Sequence, residues 1–252
     1  MFKKKNSSHS DVVLDTHRII AEDTPFAIRE AYRSLYTNII YLPIESKCKK
    51  LVLTSAFPGE GKTSVSINLA YTIASSNPEV KILLVDSDMR SPRVTALLNI
   101  ESKGLHGLSE FLAGIDEKPN IIPSIYPNLS ILPSGAENVN APGLISSSKM
   151  LSLIKLCDES YDYVIFDTPP INVVPDALLL SDHTDGYILI ARADYSDVNS
   201  MSEAVSSLER VNANILGIVL CSLNTKRTKK YGRYSKHYSS YSRYSGCEKD
   251  ED

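Results

Sequence analysis

A doubly wound α/β fold, a mostly parallel sheet with helices on both faces, is predicted by three observations. Short apolar runs recur along the chain, each is bounded by turn residues, and stretches of helical periodicity lie between them. The runs are Leu51-Val52-Leu53, Ile82 to Val85, Leu129 to Leu132, Tyr163 to Phe166, Tyr187 to Ala191 and Ile215 to Leu220. Helical patterns fall at Thr63 to Ser75, Gly143 to Cys157, Asp176 to Ser181 and Ser200 to Val211. Strands that alternate with helices in this way favour parallel pairing through crossover connections. Ahead of them, Pro25 can open a helix, and Phe26 to Ile40 keeps its apolar residues at helical spacing with no strand neighbour, which predicts a helical arm.

After Leu223 the periodic pattern stops, and no aliphatic residue occurs from Thr225 onward. Such a segment buries too little surface to offset the entropy of ordering, so a flexible tail is expected. The chain of 252 residues therefore divides into an N-terminal arm with a self-association helix over 1–45, a core over 46–225 and a tyrosine-rich tail over 226–252. Composition is that of a globular protein, with 42% hydrophobic and 23% charged residues, which excludes wholesale disorder. The formal net charge of -3 conceals a basic stretch from Lys226 to Arg243 ahead of the acidic close Glu248 to Asp252.

The four cysteines, Cys48, Cys157, Cys221 and Cys247, show no metal-ligand spacing and no disulfide framework, which suits a reducing cytoplasm. Met1 to Ser10 lacks the apolar stretch of a signal peptide, and no run of about 18 apolar residues occurs, so neither secretion nor a membrane span is expected.

Directly after the first apolar run stands Ala56-Phe57-Pro58-Gly59-Glu60-Gly61-Lys62-Thr63, the P-loop pattern with alanine at its first glycine. A strand feeding a glycine-containing turn, then a helix, aims backbone N–H groups and the positive end of the helix dipole at an anion. Pro58, Gly59, Glu60, Gly61, Lys62, Thr63 and Ser64 are thus the predicted nucleotide-binding turn of a P-loop NTPase. Lys62 would contact the β and γ phosphates of ATP, and Thr63 would place its hydroxyl on Mg²⁺. The plain alternative is a helix-capping turn with no ligand.

The second run leads into Asp86-Ser87-Asp88, at the strand end where open α/β sheets bind ligands. Residues two apart in an extended segment share a face, so both acids could turn toward the phosphates, one polarising an attacking hydroxyl and the other positioning Mg²⁺. Tyr163 to Asp167 is an apolar strand ending in an acid suited to holding Mg²⁺ through its water shell, and Thr168-Pro169-Pro170 stops the strand. Turn formation or helix capping is the alternative for each acid.

Together FPGEGKTS, ILLVDSDMRSP and YDYVIFDTPP resemble, in order and spacing, the Walker A, Walker A′ and Walker B motifs of the bacterial tyrosine kinases that regulate capsule and exopolysaccharide synthesis. The resemblance runs from about Pro25 to Leu223, through NLSILPSG, SSSKM and VNANILGIVL. It implies Lys62 and Thr63 as ligands of phosphate and metal, Asp86 as the base candidate, and Asp88 and Asp167 as servants of the metal. The related chromosome- and septum-partitioning ATPases carry a signature lysine early in the loop; Phe57 stands there instead, which favours kinase over a partitioning-type ATPase or nucleotide-switched binding module. The family self-associates into rings through a helix bearing Glu-x-x-Arg-x-x-Arg. Glu30 and Arg33 match it, and Tyr36 replaces the second arginine. Cys221 occupies a strand end where relatives often have asparagine. The resemblance further implies a transmembrane polysaccharide co-polymerase-type adaptor that recruits a cytoplasmic chain to the inner face of the membrane, and a cognate phosphotyrosine phosphatase.

The tail carries Tyr231, Tyr234, Tyr238, Tyr241 and Tyr244 with no aliphatic core to pack them into. A phenol with pKa about 10 is a poor nucleophile at neutral pH, so phosphoryl transfer to it needs a carboxylate base and neutralised γ-phosphate charge. These tyrosines are the predicted autophosphorylation sites. The alternative is a nucleic-acid or anionic-membrane arm, since stacking and phosphate contacts would use the same residues. The phosphoacceptor reading expects no nucleic-acid partner.

Overall fold

The computed structural model describes residues 19–21, 23–138 and 140–221. Its strands are β1 (Lys49–Ser55), β2 (Ile82–Asp86), β3 (Ile122–Pro123), β4 (Leu129–Leu132), β5 (Tyr163–Asp167), β6 (Gly186–Arg192) and β7 (Ile215–Cys221). They form a single sheet in the order β3-β4-β2-β5-β1-β6-β7, parallel throughout except for the β3–β4 pair. The helices are α1 (Phe26–Ile40), α2 (Lys62–Ser76), α3 (Val94–Leu97), α4 (Leu108–Leu112), α5 (Ala141–Ile145), α6 (Ser148–Ser160) and α7 (Val198–Arg210), with a 3₁₀ helix at Pro175–His183.

Side chains alternate across each strand, and in β1, β2, β5 and β6 both sets are buried because both faces are covered, whereas β7 at the edge leaves Ile218 and Leu220 exposed. Leu51, Leu53, Leu84 and Ile165 face the layer that contains α2. Val52, Val85, Val164 and Phe166 face the layer that contains α4, α6 and α7. The predicted runs therefore lacked the alternation of a one-sided sheet. Crossovers return every long strand in the same direction, so the C-terminal ends of β1, β2 and β5 lie side by side, with Leu53 and Asp86 both aligned with Asp167. That alignment is what brings distant acids to one place.

Four features differ from the sequence expectation. Helix α1 has the predicted span but is no free arm: Tyr36 and Ile39 are buried, Tyr36 meets the Tyr163 ring edge-on at 6.2 Å, and the Asn68 amide of α2 donates to the Tyr32 hydroxyl at 3.2 Å. The pattern expected over Gly143 to Cys157 is two helices, α5 and α6, broken at the Ser146–Ser147 step, where Ser147 is extended. Serine favours the caps of helices over their interiors, and Pro142 fits the first turn of the earlier helix. The helical pattern at Asp176 to Ser181 is a 3₁₀ segment opened by Pro175. Strand β3 is only a two-residue edge, too short for periodicity to reveal, and its Pro123 is tolerated because one side needs no ladder partner. The tail tyrosines and Cys247 lie outside the described residues. Among the described residues, no helix is long and apolar enough to cross a membrane.

Candidate nucleotide site

The loop between β1 and α2 carries the first part of the site. Gly59 and Gly61 adopt φ of +85° and +97°, and nothing lies within 4 Å of where a Cβ would stand on either. The left-handed conformation, not crowding, is what demands glycine. Helix α2 begins at Lys62 with no capping side chain on Gly61 and no acid in its first turn. Its leading N–H groups and dipole therefore present an uncompensated positive end. Pro58 and Gly59 are exposed on the loop, Ser64 is half-buried in the first helical turn, and Glu60, Lys62 and Thr63 are buried.

Onto this end converge the three predicted acids. Lys62 Nζ lies 3.1 Å from Asp88 Oδ2, while Asp88 Oδ1 accepts the Ser91 N–H at 3.1 Å. Asp86 accepts the Asp88 N–H at 3.3 Å and the Val94 N–H at 3.0 Å, so it shapes the turn that aims Asp88. Asp167 Oδ1 accepts the Ser66 hydroxyl at 3.0 Å, and its backbone carbonyl accepts the Ser87 N–H at 2.8 Å. Its other carboxylate oxygen, Oδ2, is buried with no hydrogen-bond partner.

Burial pushes the Asp86 carboxyl up to about 8, and the neighbouring Asp167 adds to it. Burial also raises Asp167, with the Lys62 charge and then the Thr63 hydroxyl pulling the other way. Three carboxyl groups thus crowd one ammonium in a dry site, which favours keeping protons on them; a divalent cation would take the place of those protons and balance the ionised oxygens. The orphaned Asp167 Oδ2, the Thr63 hydroxyl and the oxygen-only donor set fit a hard cation such as Mg²⁺.

Sequence reasoning missed the supports of this cluster. Ser66, one helical turn beyond Lys62, orients Asp167. Arg90 forks onto the buried Asp176 at 2.8 and 3.2 Å, tying the turn after Asp88 to the 3₁₀ helix. Their separation of 86 residues leaves no local signal. Phe57 donates its N–H to Glu60 rather than toward a ligand. Cys221 closes β7 beside Arg192, and burial pushes its thiol up to about 11. Glu30 and Arg33 are not part of the site; they pair at 2.6 Å on the surface of α1.

A glycine turn that joins β1 to the uncapped start of α2, with Lys62 and Thr63 at that start on a doubly wound sheet, makes this a P-loop nucleotide-binding protein. The AAA domain family model matches residues 49–215. Tyrosine-protein kinase YwqD of Bacillus subtilis (strain 168) is 33% identical over 204 residues, which cover 80% of this chain and 84% of that protein. The kinase domain of Escherichia coli tyrosine kinase ETK superposes with a TM-score of 0.72 at 32% identity, over 79% of this chain and 76% of that one. The septum site-determining protein MinD of Pyrococcus horikoshii, complexed with Mg-ADP, shares the fold with a TM-score of 0.55 at 21% identity, over 69% of this chain and 70% of that one. The chain belongs to the bacterial tyrosine-protein kinase family.

Proposed function

We propose that this chain transfers the γ-phosphoryl group of ATP to tyrosines of its own tail, in trans between copies, and so regulates capsular or exopolysaccharide synthesis and export. The observation that carries the site chemistry is the convergence of Lys62, Asp88 and the half-satisfied Asp167 on the N-terminus of α2. Lys62 would neutralise β- and γ-phosphate charge, and the first N–H groups of α2 would hold the phosphates in line. Thr63, Asp88 and Asp167 would hold Mg²⁺, which when bound supplies charge neutralisation at the transferring group. Asp86 is the base for the incoming phenol. Burial raises its affinity for a proton, which narrows the gap to a tyrosine hydroxyl with pKa about 10, and with Mg²⁺ beside it the carboxyl would release the proton it holds in the metal-free site and be left ionised to act. The phenol oxygen bonds to γ-phosphorus as the bond to the β–γ bridging oxygen breaks, the proton passes to Asp86, and ADP leaves.

Tyr231, Tyr234, Tyr238, Tyr241 and Tyr244 are the proposed acceptors. Each phosphate adds about -1.5 to -2 charge to a basic segment, so successive modification would weaken its attraction to an acidic groove or neighbouring subunit. The surface pair Glu30–Arg33 is the proposed self-association contact. A membrane-spanning adaptor would recruit the chain to the inner face of the membrane, and a phosphotyrosine phosphatase would reset the tail. A partitioning-type ATPase is disfavoured by Phe57 at the signature-lysine position. Incubation with γ-labelled ATP and Mg²⁺ separates the two: label on tyrosine supports the kinase, and release of free phosphate alone refutes it.

A further inference from the structure

Glu60 is an odd residue to find inside a phosphate-binding loop. It sits between the two left-handed glycines, is 1% exposed, and sets an acidic side chain where an anion is to bind. Its carboxylate is turned back beneath the loop. Oε2 accepts the Phe57 N–H at 2.9 Å, which closes the loop on itself, and Oε1 accepts the Ser196 hydroxyl.

Ser196 has no freedom to do otherwise. Its N–H donates to the Arg192 carbonyl at 2.8 Å, and its Oγ accepts the Arg192 N–H at 2.7 Å, so the one hydroxyl proton is left for Glu60. The same Arg192 reaches the loop a second time, donating from Nη1 to the Gly59 carbonyl at 3.2 Å. Arg192 closes β6 in register with Cys221, and the Ala193 N–H donates to the Cys221 carbonyl at 2.8 Å. The turn after β6 therefore grips the phosphate loop through a carboxylate and a carbonyl, from a strand end joined to the last residue of β7.

We propose that Ser196 is a positioning residue for nucleotide binding. By satisfying the buried Glu60 carboxylate it holds the Phe57–Gly61 loop in its phosphate-receiving shape. With the hydroxyl gone, Glu60 Oε1 is left without its partner in a buried place, which favours swinging the carboxylate out toward water and opening the loop. The inference rests on the nucleotide-site reading but not on phosphotransfer to tyrosine.

The test is calorimetric titration of the full chain with Mg-ADP, paired with thermal unfolding. Wild type must bind, which checks the site itself. Ser196→Ala removes both the bond to Glu60 and the one from the Arg192 N–H, and is expected to weaken binding about tenfold or more with only a modest fall in melting temperature. Ser196→Thr, which keeps the hydroxyl, should recover most of the affinity. In a Glu60→Ala background, Ser196→Ala should cost clearly less than it does in wild type, because only the Arg192 N–H bond is left to lose. Ser196→Ala binding like wild type overturns the proposal. So does a Thr variant as weak as Ala, or additive losses in the double variant. Wild type that fails to bind Mg-ADP overturns the site reading as well.

Discussion

Tyr36→Arg completes the Glu-x-x-Arg-x-x-Arg pattern that Glu30 and Arg33 begin, and it should destabilise the fold rather than strengthen assembly. Tyr36 is 8% exposed, and its ring stands edge-on to Tyr163 with centroids 6.2 Å apart. Removing a buried aromatic costs about 3–5 kcal/mol, of which the edge contact itself contributes about 0.5–1.5. An arginine can keep its alkyl stem on the sheet while its guanidinium turns to water, so the net loss should be about 2–4 kcal/mol. For a chain of this size each kcal/mol shifts the melting temperature by about 2–4 °C, which gives a fall of about 5–15 °C. Circular dichroism melting of wild type, Tyr36→Arg and Tyr36→Phe is the assay, with light scattering on the same samples. Phenylalanine keeps the ring and should lie within about 1 kcal/mol of wild type, since it deletes one hydroxyl. If Tyr36→Arg melts with wild type and forms larger assemblies, Tyr36 belongs to an association surface and its reading as a core residue is wrong.

Lys62→Met should abolish Mg-dependent ADP binding and lower tyrosine phosphorylation on the order of a hundredfold or more, measured by calorimetry and phosphotyrosine blotting. Asp86 has a folded-state pKa raised from 3.8 to about 8, so the folded chain holds more protons than the unfolded chain across that window, and its contribution makes stability fall as pH rises through it. Urea unfolding of the metal-free protein at a series of pH values should therefore show a flatter slope for Asp86→Asn than for wild type, and Mg²⁺ should offset the wild-type loss at the alkaline end. Arg90→Met leaves Asp176 buried without its cation and should cost about 2–4 kcal/mol by urea unfolding, less than a fully buried pair because Arg90 is partly exposed. Adding Asp176→Leu should recover part of that loss.

The sheet was legible because strands buried on both faces read as unbroken apolar runs, and the ends of those runs carried the acids. The phosphate loop was legible because glycines, lysine and threonine must occupy fixed places on one short segment. What stayed hidden depends on distant pairing. Nothing near Tyr36 tells whether an amphipathic helix seats its apolar side on this sheet or on another copy. Arg90 and Asp176 are 86 residues apart, and Glu60 and Ser196 are 136 apart, so only the folded topology joins them. The three serines at 146–148 read as part of one helix until capping preference divides it.

In the proposed reaction a nucleotide held by Lys62, Thr63, Asp88 and Asp167 phosphorylates tail tyrosines. The most direct measurement is a mass-spectrometric map of the full chain after incubation with γ-labelled ATP and Mg²⁺, alongside Lys62→Met and a variant with phenylalanine at positions 231, 234, 238, 241 and 244. Phosphate on the tail tyrosines of wild type, absent from both variants, is the expected result. Phosphate on none of them, with ATP hydrolysed only to free phosphate, would contradict it.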